Sequence, residues 1–301
     1  MTLHPQAAAH LAAAAEAPPI HTLDVAGARA AGLGYLQLQR APRAMTVEHR
    51  FVPGPTADLP VRIYRPDGAV PGGPVVLMLH GSGWVICNLD VCDEPARALA
   101  DDSGLVVITV NYQKAPEHPY PRPLDDCVAA FEWIRAQSAA LGVDADRIAV
   151  VGDSAGGNLA AGLALRLRDT GRPGPAALAL LYPALEQVSS DDPTGDGLSR
   201  ADMAWFWNHY LAGTTPDSYA APGIATELTG LPPTFVATAE HDVLRVEGAA
   251  FAARLADAGV SVIHTDYPGM IHGFYWMDGV LDDAVRLQLE LADWLRSALL
   301  T

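Results

Sequence analysis

RIAVVGDSAGGNLAAGLALRLRD (147–169) holds the pattern that decides the fold. An apolar run of strand type, RIAVV, stops at Gly152, and a leucine- and alanine-rich stretch of helical type starts after Ser154. A serine on the tight turn between a strand and a helix projects its hydroxyl above the sheet, which is the arrangement of a nucleophile elbow. Gly152 and Gly156 stand two residues to either side of Ser154, where a side chain would strike neighbouring backbone. The helix that begins near Ala155 offers free amides and the positive end of its dipole to a developing negative charge. GxSxG alone is a weak signal. Between a strand and a helix, with glycines closing the turn, it predicts a nucleophile at Ser154.

Outward from this centre, β-type runs are predicted at 45–52 and 60–66, and apolar strands at 74–80, 104–110, 147–152, 176–182, 233–238 and 261–267. Helical stretches near 92–101, 122–138, 155–169, 246–258 and 281–299 separate most of them. Strand and helix alternating at this spacing predict an α/β fold, a mostly parallel sheet with helices on both faces. Two sections break the alternation. Residues 1–45 lack β signals and carry helix formers. Residues 186–215 begin with the turn-rich SSDDPTGDG and continue as LSRADMAWFWNHYL, where Met203, Phe206, Trp207 and Tyr210 share one helical face. Such a stripe either packs in a core or roofs a pocket, and both readings stand.

A serine hydroxyl is a poor nucleophile until a base takes its proton. In a fold of this kind the acid and then the histidine follow the serine along the chain. Of ten histidines only His209, His241, His264 and His272 lie downstream. His209 falls in the inserted helix and His264 inside the strand SVIHTDYP. His272 stands in the loop PGMIHGF directly after that strand, where α/β sheets place their sites, and is the expected base. The acid should follow the strand TFVATAE. Asp242 in HDVLRVEG is the first choice and Glu240 the alternative, since the strand end can slip by two positions. His241 has no partner at helical metal-ligand spacing, so no metal is expected. LHGSGWV (79–85) supplies small residues whose main-chain amides can approach an oxyanion. His80 is expected to hold that loop in shape, and Trp84 either to line the pocket or to pack beneath the loop with one face exposed.

With 301 residues, half of them apolar and 18% charged, the chain is long enough to bury a large core. Its formal charge of −16 argues against nucleic acid, anionic membrane surfaces and polyanionic substrates as partners. The longest apolar runs suit strands, not membrane spans. The alanine-rich start lacks the basic residues, apolar stretch and cleavage site of a secretory signal, so the cytoplasm is the expected compartment. Cys87, Cys92 and Cys127 match no zinc spacing and are expected as buried or half-buried thiols.

Taken together, HGSGW (80–84), NYQKAPEHPYP (111–121), GDSAGG (152–157), HDVLRVEG (241–248) and IHGF (271–274) resemble the bacterial hormone-sensitive lipase family of α/β-hydrolases, from about residue 46 onward. The resemblance implies an eight-stranded α/β-hydrolase core at 46–185 and 216–301. Over it would sit a cap made of the helical arm 1–45 and the insertion 186–215. It implies a carboxylesterase acting on small to medium acyl esters without a cofactor, through Ser154, Asp242 and His272. The amides of Ser82, Gly83 and Ala155 would form its oxyanion hole, and Trp84, Met203 and Phe206 its substrate pocket. The partner it implies is a small-molecule ester; a homodimer stays open. Two departures stand out. Ser82 replaces the middle of three glycines, and Gln113 and Lys114 replace an arginine and a leucine. An amidase or acyltransferase with the same triad, or a non-catalytic ligand-binding receptor, are the alternatives.

Overall fold

Strands that are buried on both faces read as continuous apolar runs, and three of them do so here. In β3 (Gly73–Leu79), β4 (Val106–Val110) and β6 (Ala177–Leu181) every residue is buried. The computed structural model describes residues 2–187 and 195–300. Its eight strands form one sheet in the order β1-β2-β4-β3-β5-β6-β7-β8. β1 (Thr46–Pro53) and β2 (Asp58–Arg65) join antiparallel, while β4, β3, β5 (Val143–Asp153), β6, β7 (Thr234–His241) and β8 (Val262–Ile271) run parallel. The expected mostly parallel eight-stranded α/β sheet is what the chain forms.

Period-two geometry sends alternate strand residues to opposite faces. Val75, Leu77, Leu79, Ile108 and Val150 pack into one apolar layer. That layer also takes in α4 (Arg122–Ala136), α6 (Ala155–Asp169) and α8 (Arg245–Asp257). Val76, Met78, Val107, Ala149 and Val151 face the other way, onto α3 (Asp93–Ser103) and α9 (Asp282–Leu300). Each fully buried Val or Leu in these layers contributes about 1.5–3 kcal/mol. The predicted helix at 122–138 breaks at Gln137, with a short α5 (Ser138–Leu141) ending on the left-handed Gly142.

Two sections lie outside this frame. The arm contains α1 (Pro5–Ala13) and α2 (Val25–Gly32), followed by a 3-10 turn, Leu33–Gln37. It is tied to the core at both ends: the His4 amide donates to the Gly269 carbonyl, and Arg29 donates to the Val85 carbonyl and to Glu117. Between β6 and β7, α7 (Arg200–Leu211) starts with a capping box between Ser199 and Asp202. The Asp202 carboxylate also accepts from the His21 main chain at 3.0 Å and contacts its ring at 2.8 Å, which joins the arm to α7. Part of the turn-rich start of the insertion, 188–194, lies outside the described residues.

Candidate active site

Three loops at the carboxyl ends of β5, β7 and β8 bring three side chains into one line. Ser154 sits between β5 and α6 at φ 53°, ψ −120°, a strained backbone that a serine adopts only where its surroundings dictate it. The glycines around it make that turn possible: a Cβ on Gly152 would collide with the Gly156 carbonyl, and one on Gly156 with the Leu79 carbonyl. Ser154 Oγ lies 2.9 Å from His272 Nε2, and His272 Nδ1 lies 2.7 Å from Asp242 Oδ2. The Asp242 side chain is fully buried, and its other oxygen accepts from the Leu244 amide at 2.9 Å. With Nδ1 protonated toward the carboxylate, Nε2 is left as the acceptor for the serine proton. Tyr182 packs edge-on against the imidazole, with centroids 4.9 Å apart, and limits how the ring can turn.

Glu240, the alternative acid, does not reach His272. Its carboxylate accepts from the Gly269 amide at 2.7 Å and thereby fixes the end of β8, from which the histidine follows. His241 turns away to Asp196 at 2.8 Å, and His264 meets Thr238 at 3.0 Å within the sheet. Among the described residues no group of His, Cys, Asp and Glu side chains could hold a metal ion.

The loop after β3, the expected oxyanion loop, shares the cavity wall with Ser154. Among the described residues, the amides of Ser82, Gly83 and Ala155 have no acceptor within the protein; Ser82 and Gly83 line the same cavity as Ser154, and Ala155 follows it in the chain. The Ser82 hydroxyl is occupied elsewhere. Tyr112 donates its single proton to the His80 carbonyl at 2.7 Å, so at the 2.6 Å contact between the two hydroxyls Ser82 is the donor. A lone pair of the same oxygen accepts from the Trp84 amide at 3.0 Å. The proton of Ser82 is thus used to shape the loop and is not aimed at an oxyanion. His80 stacks on Tyr112 with centroids 4.6 Å apart, and burial holds its ring well below the usual imidazole range. Lys114 joins the same cluster, over the Tyr112 ring and bonded to Asn111 at 2.7 Å; burial pushes its amine down to about 8.

Asp153, one residue before Ser154, went unremarked in the sequence although it lies inside the GDSAGG motif. Its oxygens accept from the Gly81 amide and from Trp276 Nε1, both at 2.7 Å. It therefore joins the oxyanion loop, the serine turn and the segment after His272. Burial pushes its carboxyl up to about 7 against the pull of those two donors.

A cavity of about 550 Å³ opens over Ser154 and His272. Met203 and Phe206 line it, as do Leu11, Ile20 and Tyr35 of the arm and Ile86 beside the oxyanion loop. The α7 stripe is therefore divided: Met203 and Phe206 face the cavity, whereas Trp207 and Tyr210 turn into the core. Trp84 corrects an expectation. It is wholly buried, with no exposed face and no share in the cavity wall, because it lies stacked on Tyr210 at 4.3 Å and tilted against Trp207 at 4.4 Å. The aromatic partners that cover it come from the inserted helix, more than 100 residues away in sequence, and no local signal foretold them. Cys87 borders the cavity while Cys92 and Cys127 are buried, and all three are free thiols.

Comparison with known proteins places these features in a family setting. A family model described as alpha/beta hydrolase fold matches residues 76–276. Carboxylesterase NlhH of Mycobacterium tuberculosis is 43% identical over 232 residues, covering 72% of this chain and 71% of its own. An ethyl acetate hydrolase of Pseudomonas putida is 36% identical over 239 residues, 75% of this chain and 74% of its own. Among solved structures, an ester-hydrolase from the metagenome of Lake Arreo, complexed with a derivative of bipyridine phosphonate, superimposes with a TM-score of 0.92 at 37% identity, covering all of both chains. The hyperthermophilic esterase of the archaeon Pyrobaculum calidifontis does so with a TM-score of 0.91 at 33% identity over 99% of each chain.

Proposed function

As the chain belongs to the α/β-hydrolase fold family, in its hormone-sensitive-lipase-like branch, and is a carboxylic ester hydrolase, we propose that Ser154, His272 and Asp242 carry its chemistry. The observation that supports this assignment most is the unbroken line from Ser154 Oγ through His272 to Asp242, at 2.9 and 2.7 Å on the cavity floor.

In the proposed reaction Ser154 Oγ attacks the ester carbonyl carbon as its proton passes to His272 Nε2. The carbonyl electron pair moves onto oxygen, and the amides of Ser82, Gly83 and Ala155 receive that charge. Collapse of the tetrahedral species breaks the bond to the alkoxy oxygen, which takes the proton from His272 and leaves as the alcohol. Water then attacks the acyl-serine with His272 again as base, and the carboxylic acid departs. Asp242 keeps Nδ1 protonated and stabilises the imidazolium formed in each half of the cycle. No cofactor enters any step.

The arm 1–45 and the insertion 186–215 act together as a cap in this reading, because Asp202 links them and both supply cavity wall. A 550 Å³ cavity suits small to medium acyl esters. The three unpaired cysteines fit a reducing compartment and so the cytoplasm; among the described residues no helix is long and apolar enough to cross a membrane. The test is a panel of 4-nitrophenyl esters of increasing acyl length beside the matching anilides, run on the parent and on Ser154→Ala. Turnover of short esters that vanishes in Ser154→Ala is expected. Anilides hydrolysed as fast as esters would favour the amidase alternative, and a Ser154→Ala variant that keeps more than a few per cent of the activity would overturn the assignment.

A further inference from the structure

The arm places two polar side chains in the cavity wall that the reaction above does not use, His10 and Tyr35. Tyr35, in the 3-10 turn that follows α2, is half-buried and lines the cavity. Its ring leans on Trp276, with centroids 5.9 Å apart, and Trp276 is itself fixed by its bond to Asp153. Its hydroxyl lies against Gly273, the residue after the catalytic histidine: a Cβ there would stand 2.7 Å from the phenol oxygen. Among the described residues that hydroxyl has no hydrogen-bond partner. Burial, together with the nearby Cys87, Asp153 and Asp242, raises the phenol above its ordinary range, so it stays protonated and serves as a donor.

Which part of a substrate meets this donor follows from the chemistry. His272 Nε2 must hand its proton to the alkoxy oxygen, so the alcohol portion leaves on the histidine side, while the carbonyl oxygen turns toward Ser82, Gly83 and Ala155. The neighbour of Gly273 faces the alcohol portion. Resting on the hydrolase reading above, we infer that the Tyr35 hydroxyl is a substrate-binding donor for the alcohol side, selecting esters whose alcohol carries an ether or hydroxyl oxygen close to the ester bond over plain alkyl esters. Tyr35 is then a specificity residue that the arm delivers to a site built by the sheet.

An isosteric pair tests it: 2-methoxyethyl acetate and butyl acetate differ by one oxygen in place of a methylene. Rates are divided by those of hydroxide-catalysed hydrolysis, which removes the difference in leaving-group reactivity. The full chain is expected to prefer the ether ester about three- to tenfold in kcat/KM, the size of one neutral hydrogen bond. Tyr35→Phe keeps the ring on Trp276 and should bring the ratio near one, the loss falling on the ether ester. The same oxygen moved to the acyl side, in ethyl 3-methoxypropanoate against ethyl pentanoate, should show no preference that depends on Tyr35. Equal normalised rates in the parent, which need no variant to measure, would overturn the inference. So would a Tyr35→Phe loss shared alike by both acetates, or one that follows the acyl-side oxygen. Failure of the hydrolase reading looks different: neither ester is turned over, or Ser154→Ala turns over both at the parent rate, and the Tyr35 inference falls with it.

Discussion

Ser82→Gly removes one hydroxyl from the oxyanion loop, and the hydrogen bonds around it set the size of the effect. The hydroxyl donates to Tyr112 and accepts from the Trp84 amide, so neither of those bonds is a donor aimed at substrate. Loss of a true oxyanion donor costs about a hundred- to a thousandfold in turnover. Here the donating amide at position 82 survives the change, and kcat should stay within roughly tenfold of the parent, the remainder reflecting added loop freedom. Stability should respond more. Ser82 is 5% exposed, and its removal leaves the buried Trp84 amide without an acceptor, worth about 1–3 kcal/mol. A further 0.5–1 kcal/mol or so comes from the greater entropy of glycine in the unfolded chain. A fall of several degrees in Tm follows for a chain of this size. The assay pairs kcat on a short aryl ester, measured well below Tm, with thermal unfolding followed by circular dichroism. A hundredfold drop in kcat with Tm unchanged would refute the reasoning, since it would mean the hydroxyl serves the oxyanion and not the loop.

Ser154→Ala should lower kcat by roughly a million-fold and Asp242→Asn by about ten-thousand-fold, whereas Glu240→Gln, whose carboxylate accepts from the Gly269 amide and lies 3.9 Å from His241 Nε2, should leave kcat within about tenfold; a heavier loss at 240 than at 242 would reverse the assignment of the acid. Phe206 packs so closely on the oxyanion loop that a Cβ on Gly83 would collide with its ring, so Phe206→Ala should shift the acyl-length optimum upward with short-ester turnover little changed; an unchanged profile with lowered Tm would mean the ring is only packing. Glu247 accepts from the Leu185 amide, and burial raises its carboxyl to about 8. The folded chain therefore holds a proton there that the unfolded chain releases near the ordinary glutamate value, so this contribution is complete at low pH and is lost as pH rises toward 8. Glu247→Gln lacks that dependence, and its Tm relative to the parent should climb between about pH 5 and 8; a difference that does not vary with pH would count against it.

What the sequence determined by itself is what short-range physics controls. Continuous apolar runs could only be strands buried on both faces. The Ala155–Asp169 helix was readable to its ends because the strained serine turn starts it and its composition sustains it. The chain order of serine, acidic loop and histidine loop was legible because each follows a strand of one parallel sheet. The tertiary structure alone decided the rest. It set Asp242, just past the end of β7, beside His272 and left Glu240, two residues earlier within β7, turned to Gly269. It split the α7 stripe, sending Trp207 and Tyr210 onto Trp84 and leaving Met203 and Phe206 in the cavity. It turned the Ser82 hydroxyl toward Tyr112, and it carried Tyr35 from an unremarkable arm to the side of Gly273. Each of these depends on partners 30 to more than 200 residues apart, and side-chain contacts at such separation leave no periodicity in the chain for a reader to find.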